Sequence, residues 1–597
     1  AKTVESGIEI AAGASHRLSE EPVKTIAVDG GNEGWIAGEF LIQAEKGKQV
    51  WLEKSVLIYT GQDDENMAPY KAVKADEGLD ESYESTLGKS RGLWRALWDR
   101  AGITIDGDRE AQKIIRLHTY HILSTASLHY RELDTGIPPR GLTGEAYRGH
   151  IFWDELYILP FFNLHQPLVT RTSLMYRHRR LDEARKNASE HGYSGAMFPW
   201  QSGSSGREET QVMHLNPLSD EWGEDYSSLQ RHVSLAIAYN LCNYYSVTGD
   251  TDFMVDYGAE LLYDICRFWS SKAVYDRETD RYHIPGVMGP DEFHEKLPGS
   301  NEGGVSDNAY TNIMVSWMLE KAISLGDMLP DGVAGEVQKK LDIDVSETER
   351  WKSISKRLAL NISEEGIIEQ FYGYFGLAEL DWDHYRKKYG DIHRLDRILK
   401  AEGRSPDEFK LGKQADFLMA FYNLGEVEVG RLITSMGYKL PSDYFRCNFD
   451  YYLKRTSHGS TLSRLVHSAL AYKLGLEETG WELYLESLRS DLDDIQGGST
   501  GEGIHCGVMA GTILMVISVF CGADFSGDYV SVCPSIPAQW EKVKLNFRFR
   551  SALFSLVAEH KRIKISVTGN GKEKIKINIC GRLTELETDQ IHTINIY

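Results

Sequence analysis

From about Ser82 onward, apolar residues recur at helical spacing in one stretch after another, and long polar loops rich in glycine separate them. REAQKIIRLHTYHILSTASLHY (109 to 130) is one such stretch. Others lie near 154–164, 168–189, 227–247, 251–272, 307–325, 347–360, 413–436, 461–475, 479–491 and 507–520. Helices that alternate with functional loops suit an (α/α) barrel, although a bundle or a solenoid would read alike at this level. No repeat of about 30 to 50 residues stands out, which lowers the solenoid option. The expected fold is mainly α, with the helical catalytic region over 108–525.

Strand patterns flank it. TIAVDG, WIAGEFLIQAE and QVWLEKSVLIYT alternate apolar and polar residues between glycine breaks, and VKLNFRFRSALFSLVAEHKRIKISVTGNGKEKIKINICG does so near the C-terminus. Three or four N-terminal strands cannot close a sandwich alone. The expected division is a remnant of an N-terminal β-sandwich over 1–70, a helical linker over 71–107 and a small C-terminal β domain over 526–597.

A formal charge of -22 argues against nucleic acid or an anionic membrane as partner, because both draw on clustered Lys and Arg. No run of about 18 apolar residues and no signal-like N-terminus is visible. The seven cysteines form no CxxC pair and no even framework, so neither a zinc site nor a disulfide scaffold is expected, and a reducing cytoplasm fits. The abundant Trp and Tyr offer apolar faces with polar tips, which suit sugar rings and equally an ordinary core.

Five loops are dense in charged, hydroxyl and aromatic residues: RGLTGEAYRGHIFWDE (140–155), GYSGAMFPWQSGSSGREETQ (192–211), GVMGPDEFHE (286–295), RTSHGSTLSR (455–464) and DIQGGSTGEGIH (494–505). Such loops at helix ends imply one shared pocket. In order along the chain, RGHIFWDE, GAMFPWQSGSSGREETQ, GPDEFHE with SDNAYTN, KQAD, TSHGSTLS and GGSTGEGIH resemble the motif set of glycoside hydrolase family 65, which includes maltose, trehalose, kojibiose and nigerose phosphorylases. The resemblance runs from about Glu39 to the C-terminus. It implies an N-terminal β-sandwich, a helical linker, an (α/α)6 barrel and a C-terminal β domain. Family members carry a full sandwich, and the segment before the barrel is short for one, so that domain is expected to be incomplete.

The resemblance also implies roles. Glu292 matches the general acid, and a carboxylic acid can deliver a proton near neutral pH if an apolar setting, here Pro290 and Phe293, raises its pKa. Without the other motifs, Asp291 as a capping group on an exposed turn would explain the same residues. Trp153 and Asp154 match the pair that holds the non-reducing glucose, and Lys413 and Gln414 complete that subsite; Trp200, Gln201 and Arg207 are expected in the same pocket. The alternative places Trp153 and Trp200 in the core and Lys413 on the surface.

An inverting hydrolase needs a second carboxylate to activate water. A phosphorylase needs a cradle for phosphate instead. No Asp or Glu occurs between Lys454 and Leu476. His458, Ser460 and Thr461, beside Ser457, Arg455 and Arg464, offer hydroxyls and cations, and a Ser/Thr-rich helix start is itself an anion site. The family resemblance makes His458 and Ser460 the phosphate site, with Gly498, Ser499 and Thr500 supporting it and Glu502 positioning. If Glu502 were a base, the enzyme would hydrolyse; a sugar-binding protein without catalysis is a remote third reading. The expected activity is inverting phosphorolysis of an α-glucosidic disaccharide to β-glucose 1-phosphate and a free sugar. No cofactor or metal is expected, with phosphate as co-substrate and a homodimer as the assembly. The acidic, glycine-rich stretch FHEKLPGSNEGGVSD (293–307) argues mildly against a phosphorylated acceptor.

Overall fold

The computed structural model describes all residues except 5, 32–33, 64–66, 128, 130–132, 330–331, 496–498, 570–573 and 597. The chain divides into two compact units, Ala1–Asp99 and Arg100–Tyr597. In the first, Ile10–Leu18 pairs antiparallel with Leu52–Thr60, and Lys24–Asp29 with Ile36–Leu41. These are two separate two-stranded sheets. Ile36, Leu41, Leu52 and Ile58 on their strands are exposed. Helix Pro69–Ala75 follows.

The second unit is built on six inner helices: Glu155–His165, Val233–Thr248, Ala309–Ile323, Leu418–Leu424, Thr461–Lys473 and Cys506–Leu514. Each packs on the next, and the last returns to the first, so the ring closes. Outside it lie Arg109–Thr125, Pro167–His178, Ala259–Lys272, Val345–Ser355, Glu426–Ser435 and Glu477–Arg489, each against at least one inner helix. This is the (α/α)6 barrel. Position in the ring explains composition. Ala309–Ile323, enclosed by neighbours, buries Tyr310, Asn312, Met314, Ser316 and Met318 all round its circumference. Outer Arg109–Thr125 buries one stripe, Ala111, Ile114, Ile115, His118 and Ile122, and exposes Arg109, Lys113, Arg116 and Ser124, with Leu117 and Tyr120, on its other face.

Sequence and structure differ at element boundaries. The single helix expected over 413–436 is two, because Gly425 takes φ 79° and ψ 162° and turns the chain from the inner to the outer layer. Thr104–Asp106, expected within a helical linker, is a strand that pairs with Lys542–Phe549 at the edge of a five-stranded sheet. On Lys542–Phe549 the inward residues Val543, Leu545, Phe547 and Phe549 are buried, which is the period-2 alternation of a half-covered strand. Cys533 and Cys580 form a disulfide, with Cα atoms 4.6 Å apart, contrary to the expectation of unpaired thiols. They sit 47 residues apart and meet only because Ser531–Val532 pairs with Lys574–Ile579, a contact that spacing does not reveal. Among the described residues, no helix is long and apolar enough to cross a membrane.

A buried ion pair ties the first inner helix to its outer partner. Arg177 donates from Nη2 to Glu155 at 2.8 Å and from Nε at 3.2 Å, and Nη2 also reaches the Phe152 carbonyl at 3.2 Å. The Ile137 amide donates to the other carboxylate oxygen of Glu155. Removing one partner strands a buried charge. Arg177→Met should therefore lower the unfolding free energy by about 3–5 kcal/mol, and the double variant Glu155→Gln/Arg177→Met should recover a large part of that loss. Urea unfolding of wild type and both variants checks this; equal losses in the two variants would rule out the stranded charge as the cause.

Candidate active site

All six inner helices begin at the same end of the barrel, and their first residues touch around it. Trp153 lies 4.9 Å from His232, and His232 lies 6.1 Å from Tyr310. Asn308 donates to Asp416 at 2.8 Å, and the Gly459 amide donates to the Lys413 carbonyl at 2.8 Å. Gly507 closes the circle, since a Cβ there would stand 3.0 Å from Leu462 and 3.5 Å from Asp154. Each motif loop thus runs into the start of one inner helix.

Glu292 occupies a backbone conformation with φ 64°, unusual for a residue with a side chain. A hydrogen-bonded hub beneath it holds that strain. Asp291 Oδ1 accepts from the Phe293 amide at 2.6 Å and the His294 amide at 3.1 Å, while Oδ2 meets His294 Nδ1 at 2.6 Å and Gln370 Nε2. His294 Nε2 bonds the Phe409 carbonyl at 3.0 Å. Burial alone would depress the His294 pKa, but the Asp291 carboxylate raises it to about 9. Asp416 accepts from the Asp291 amide at 3.2 Å; burial, and then the Asp291 charge, push its carboxyl well up. A Cβ on Gly289 would collide with Asp416 and Asn308, which makes glycine necessary there.

Lys413 Nζ and Gln414 Nε2 each donate to Glu292 at 2.9 Å, and Gln414 also reaches the Pro290 carbonyl at 2.6 Å. Burial opposes the charge on Lys413, but Glu292 holds its pKa up. The expected apolar setting for Glu292 is therefore absent on the carboxylate side. Phe293 points away into a cluster with Leu380, Leu395, Leu399, Phe409 and Leu411, because successive residues on this tight turn face opposite ways. Asp154, just before the Glu155–His165 helix, is raised to about 7 by burial and then by the Glu292 charge, so the two carboxyl groups share one environment.

Trp153 and Trp200 are 3% and 5% exposed, their ring centroids 6.3 Å apart and both packed on His232. They form an aromatic wall continuous with the core, so the core reading and the pocket reading describe one position. Burial lowers His232 to about 3, which keeps it neutral. Gln201 Oε1 lies 3.2 Å from His150 Nδ1. The amides of Trp200 and Gln201 both donate to Glu208, at 3.0 and 3.2 Å. Arg207 does not join this group. It is exposed, with its Nε on Ser205 at 3.3 Å, and the cation near Glu208 is Arg231 at 3.6 Å.

The 455–464 loop is pinned beside Lys413: the Ser457 amide donates to the Gly412 carbonyl at 2.9 Å. His458 has φ 55° and meets the His467 ring edge to face at 4.9 Å; its Nδ1 is 2.8 Å from Ser463 Oγ, and burial drives its pKa well down. Ser460 caps the Thr461–Lys473 helix, accepting from the Leu462 amide at 3.3 Å, and Thr461 is buried in the first turn. Arg464 is turned inward, bonding the His458 carbonyl at 3.1 Å, His393 at 2.8 Å and Glu486. Arg455 leaves the site for Glu379 and the Tyr451 ring.

On the 494–505 loop, Gly498 lies outside the described residues. Ser499 Oγ is buried and has no hydrogen-bond partner among the described residues. Glu502 is exposed and lies 3.9 Å from Arg140. Arg140 donates to the Gly503 carbonyl at 2.5 Å and meets His505, which Asp491 holds at 2.6 Å. A Cβ on Gly144 would strike the Glu502 backbone, so this glycine permits the two loops to touch.

Sequence reasoning missed Glu208, Arg140, Asp291 as hub, Asp416, and Tyr147, which has φ 60° with the Arg140 guanidinium 5.5 Å from its ring. Tyr147 and Arg140 stand within the quoted loop RGLTGEAYRG; the others act through folded neighbours that spacing does not show. A cavity of about 860 Å³, lined by Tyr239, Asn243, Trp317, Lys321 and Asn423, opens elsewhere in the barrel and shares no residue with these loops. Strained and titratable residues converge instead at the end where the inner helices begin, which makes that end the candidate site. Among the described residues, no group of three or more His, Cys, Asp or Glu is placed to hold a metal ion.

Comparison with known proteins agrees with this architecture. The glycosyl hydrolase family 65 central catalytic domain matches residues 116–514, its N-terminal domain residues 1–97 and its C-terminal domain residues 524–586. The likeness therefore extends upstream of Glu39 to the first residue. An uncharacterized glycosyl hydrolase of Mycobacterium tuberculosis is 40% identical over 602 residues, covering 100% of this chain, which spans only 45% of that protein's length. A trehalose 6-phosphate phosphorylase of Lactococcus lactis is 39% identical over 577 residues, covering 96% of this chain and 73% of that protein. A solved structure, a putative kojibiose phosphorylase from the human microbiome, superposes with a TM-score of 0.79 at 22% identity, covering 100% of this chain and 73% of that one, and has the same fold. The chain belongs to glycosyl hydrolase family 65.

Proposed function

We propose that this chain catalyses inverting phosphorolysis of an α-glucosidic disaccharide of the trehalose, kojibiose, maltose or nigerose type, releasing β-glucose 1-phosphate and a free sugar. The observation that carries the reading is that Glu292, on its strained turn, accepts from Lys413, whose own carbonyl accepts from the Gly459 amide of the loop that holds His458, Ser460 and Thr461. The relatives are consistent with it, for they include phosphorylases of trehalose 6-phosphate, kojibiose and maltose.

In this reading Asp154, Lys413 and Gln414 hold the glucose ring against the wall formed by Trp153 and Trp200. A glucose that competes for the Lys413 and Gln414 donors frees the Glu292 carboxyl. Protonated, that carboxyl gives its proton to the glycosidic oxygen as the C1–O bond breaks. Phosphate, already a dianion near neutral pH, attacks C1 from the opposite face, so no base is needed and configuration inverts. Ser460, Thr461 and the amides that open the Thr461–Lys473 helix supply donors to its oxygens, and His458 and the Ser499 hydroxyl complete the cradle. Phosphate enters as co-substrate and no cofactor is invoked. A homodimer is the assembly this reading expects; the case for a reducing cytoplasm rests on unpaired cysteines, and the Cys533–Cys580 disulfide removes that argument.

Glu292→Gln keeps the shape but cannot donate the acidic proton, so turnover should fall at least about 100-fold while sugar binding persists. Residual turnover above about a tenth of wild type would remove Glu292 from the acid role. Proton NMR of the earliest product from an α-glucoside and phosphate should show β-glucose 1-phosphate, and His458→Ala should raise KM for phosphate far more than for sugar. An α anomer, or a rate that does not depend on phosphate, would overturn phosphorolysis; the second result would point to Glu502 as the base of a hydrolase.

Asp154 supplies the pH dependence. Its ionised form is the better acceptor for sugar hydroxyls, and its pKa near 7 belongs to the free enzyme. With the phosphate dianion held saturating at every pH, the profile of kcat/KM for the sugar should therefore carry an acid limb, falling as pH drops below about 7, and Asp154→Asn should abolish that limb. A limb unchanged in the variant would assign it to another group.

A further inference from the structure

The segment His393–Ala401 borders the site and carries cations that the phosphorolysis scheme leaves unused. It is fastened to the 455–464 loop: the His393 carbonyl accepts from Ser457 Oγ at 3.4 Å and lies so close to Gly459 that a Cβ there would collide with it. Arg394 is clamped by Asp396, at 2.6 and 3.0 Å, and Glu292 is among the charges acting on it. One turn later comes Arg397. Its carbonyl is fixed by Asn216 Nδ2 at 3.0 Å, so its backbone does not wander. Its half-buried guanidinium makes neither a hydrogen bond nor an ion pair with any described residue. Burial, and then the neighbouring Arg394 charge, press its pKa down, against the opposing charges of Asp396 and Glu502.

A guanidinium held partly out of water beside a second one, whose neighbouring acid Asp396 is already bonded to Arg394, has donors left for an anionic ligand. Its planar fork of donors matches phosphate oxygens. The acidity of the 293–307 stretch, which in the sequence argued against such a ligand, is partly cancelled in the fold. Lys400 Nζ holds Glu295 at 3.2 Å, and burial raises the Glu295 pKa to about 7. Lys296 lies over the Tyr226 ring.

We infer that the free sugar released by this enzyme carries a phosphate monoester, gripped by Arg397 with Arg394 on the segment fastened to the 455–464 loop. The inference rests on the phosphorolysis reading and deepens it: the site takes two phosphates, one that attacks C1 at His458–Thr461 and one that travels with the acceptor.

The reverse reaction separates these possibilities, with β-glucose 1-phosphate as donor and either glucose or glucose 6-phosphate as acceptor. Wild type should prefer glucose 6-phosphate in kcat/KM by roughly 10- to 100-fold, the range of a charge-assisted contact. Arg397→Ala should erase that preference and leave KM for β-glucose 1-phosphate unchanged, and Arg397→Lys should restore part of it. Equal or better use of glucose by wild type would overturn the inference and leave phosphorolysis standing. A variant with its preference intact but a raised KM for β-glucose 1-phosphate would also overturn it, by assigning Arg397 to the transferred phosphate. If neither acceptor reacts while an α-glucoside is split without phosphate, the phosphorolysis reading fails and the inference falls with it.

Discussion

The parallel run of the six inner helices is the constraint on which the rest depends. Closing the ring places six helix starts around one opening, and each start leaves amide groups without partners inside its own helix. Those amides and the aligned peptide dipoles make that end of the barrel electropositive. Side chains drawn in to satisfy them include an amide and a hydroxyl, Asn308 on the Thr311 amide and Ser460 on the Leu462 amide, while the acids Asp154 and Asp416 stand at two other starts without capping them. The same residue types bind sugar hydroxyls and transfer protons. The architecture therefore gathers a polar, acid-bearing site at one end of an otherwise apolar barrel.

Such a site must keep its members apart in protonation and fixed in direction. Glu292 and His458 both adopt left-handed backbone conformations, each costing on the order of 1–3 kcal/mol. Neither would persist on a loop free to relax. Beneath Glu292, Asp291 accepts from two amides, an imidazole and the Gln370 amide, and its partner His294 stays charged despite burial. Beneath His458, the Ser463 hydroxyl and the His467 ring do the equivalent work in a setting that keeps the imidazole neutral. One turn is locked by ion pairing and the other by packing, so neither changes protonation near neutrality: His294 gives up its proton only toward about pH 9, and His458 takes one up only in acid.

Much of this was legible in the sequence, and the reasons for the remainder are physical. Helical periodicity located the barrel, because inner and outer helices both bury apolar faces, and the motif loops were visible as glycine breaks dense in Trp, Glu and His. The pairing of Cys533 with Cys580 was not visible, since strand register brings them together over 47 residues. Nor was the departure of Arg207 and Arg455 from the site: in a loop the direction of a long cationic side chain depends on which acid it meets, here Glu379 for Arg455. Phe293 stood beside Glu292 in sequence and was expected to tune it, yet on a tight turn a neighbour in sequence faces the other way, and Lys413 took its place from 121 residues further on.

The overall charge of -22 sets a last condition on how anionic ligands reach such a site. At a distance the protein repels phosphate. At physiological ionic strength, however, exposed charges are screened within about 8 Å, so the diffuse surface acids weigh little on an ion already at the barrel mouth. Groups inside are screened far less, and there cations and acids alternate: Lys413 meets Glu292, Arg394 meets Asp396 and Arg140 lies near Glu502, while burial and then the Glu292 charge raise the Asp154 pKa to about 7. What an entering anion meets is then set by individual cations in the last few ångströms and not by the net charge, because the dielectric and the solvent access that govern the two regions are not the same.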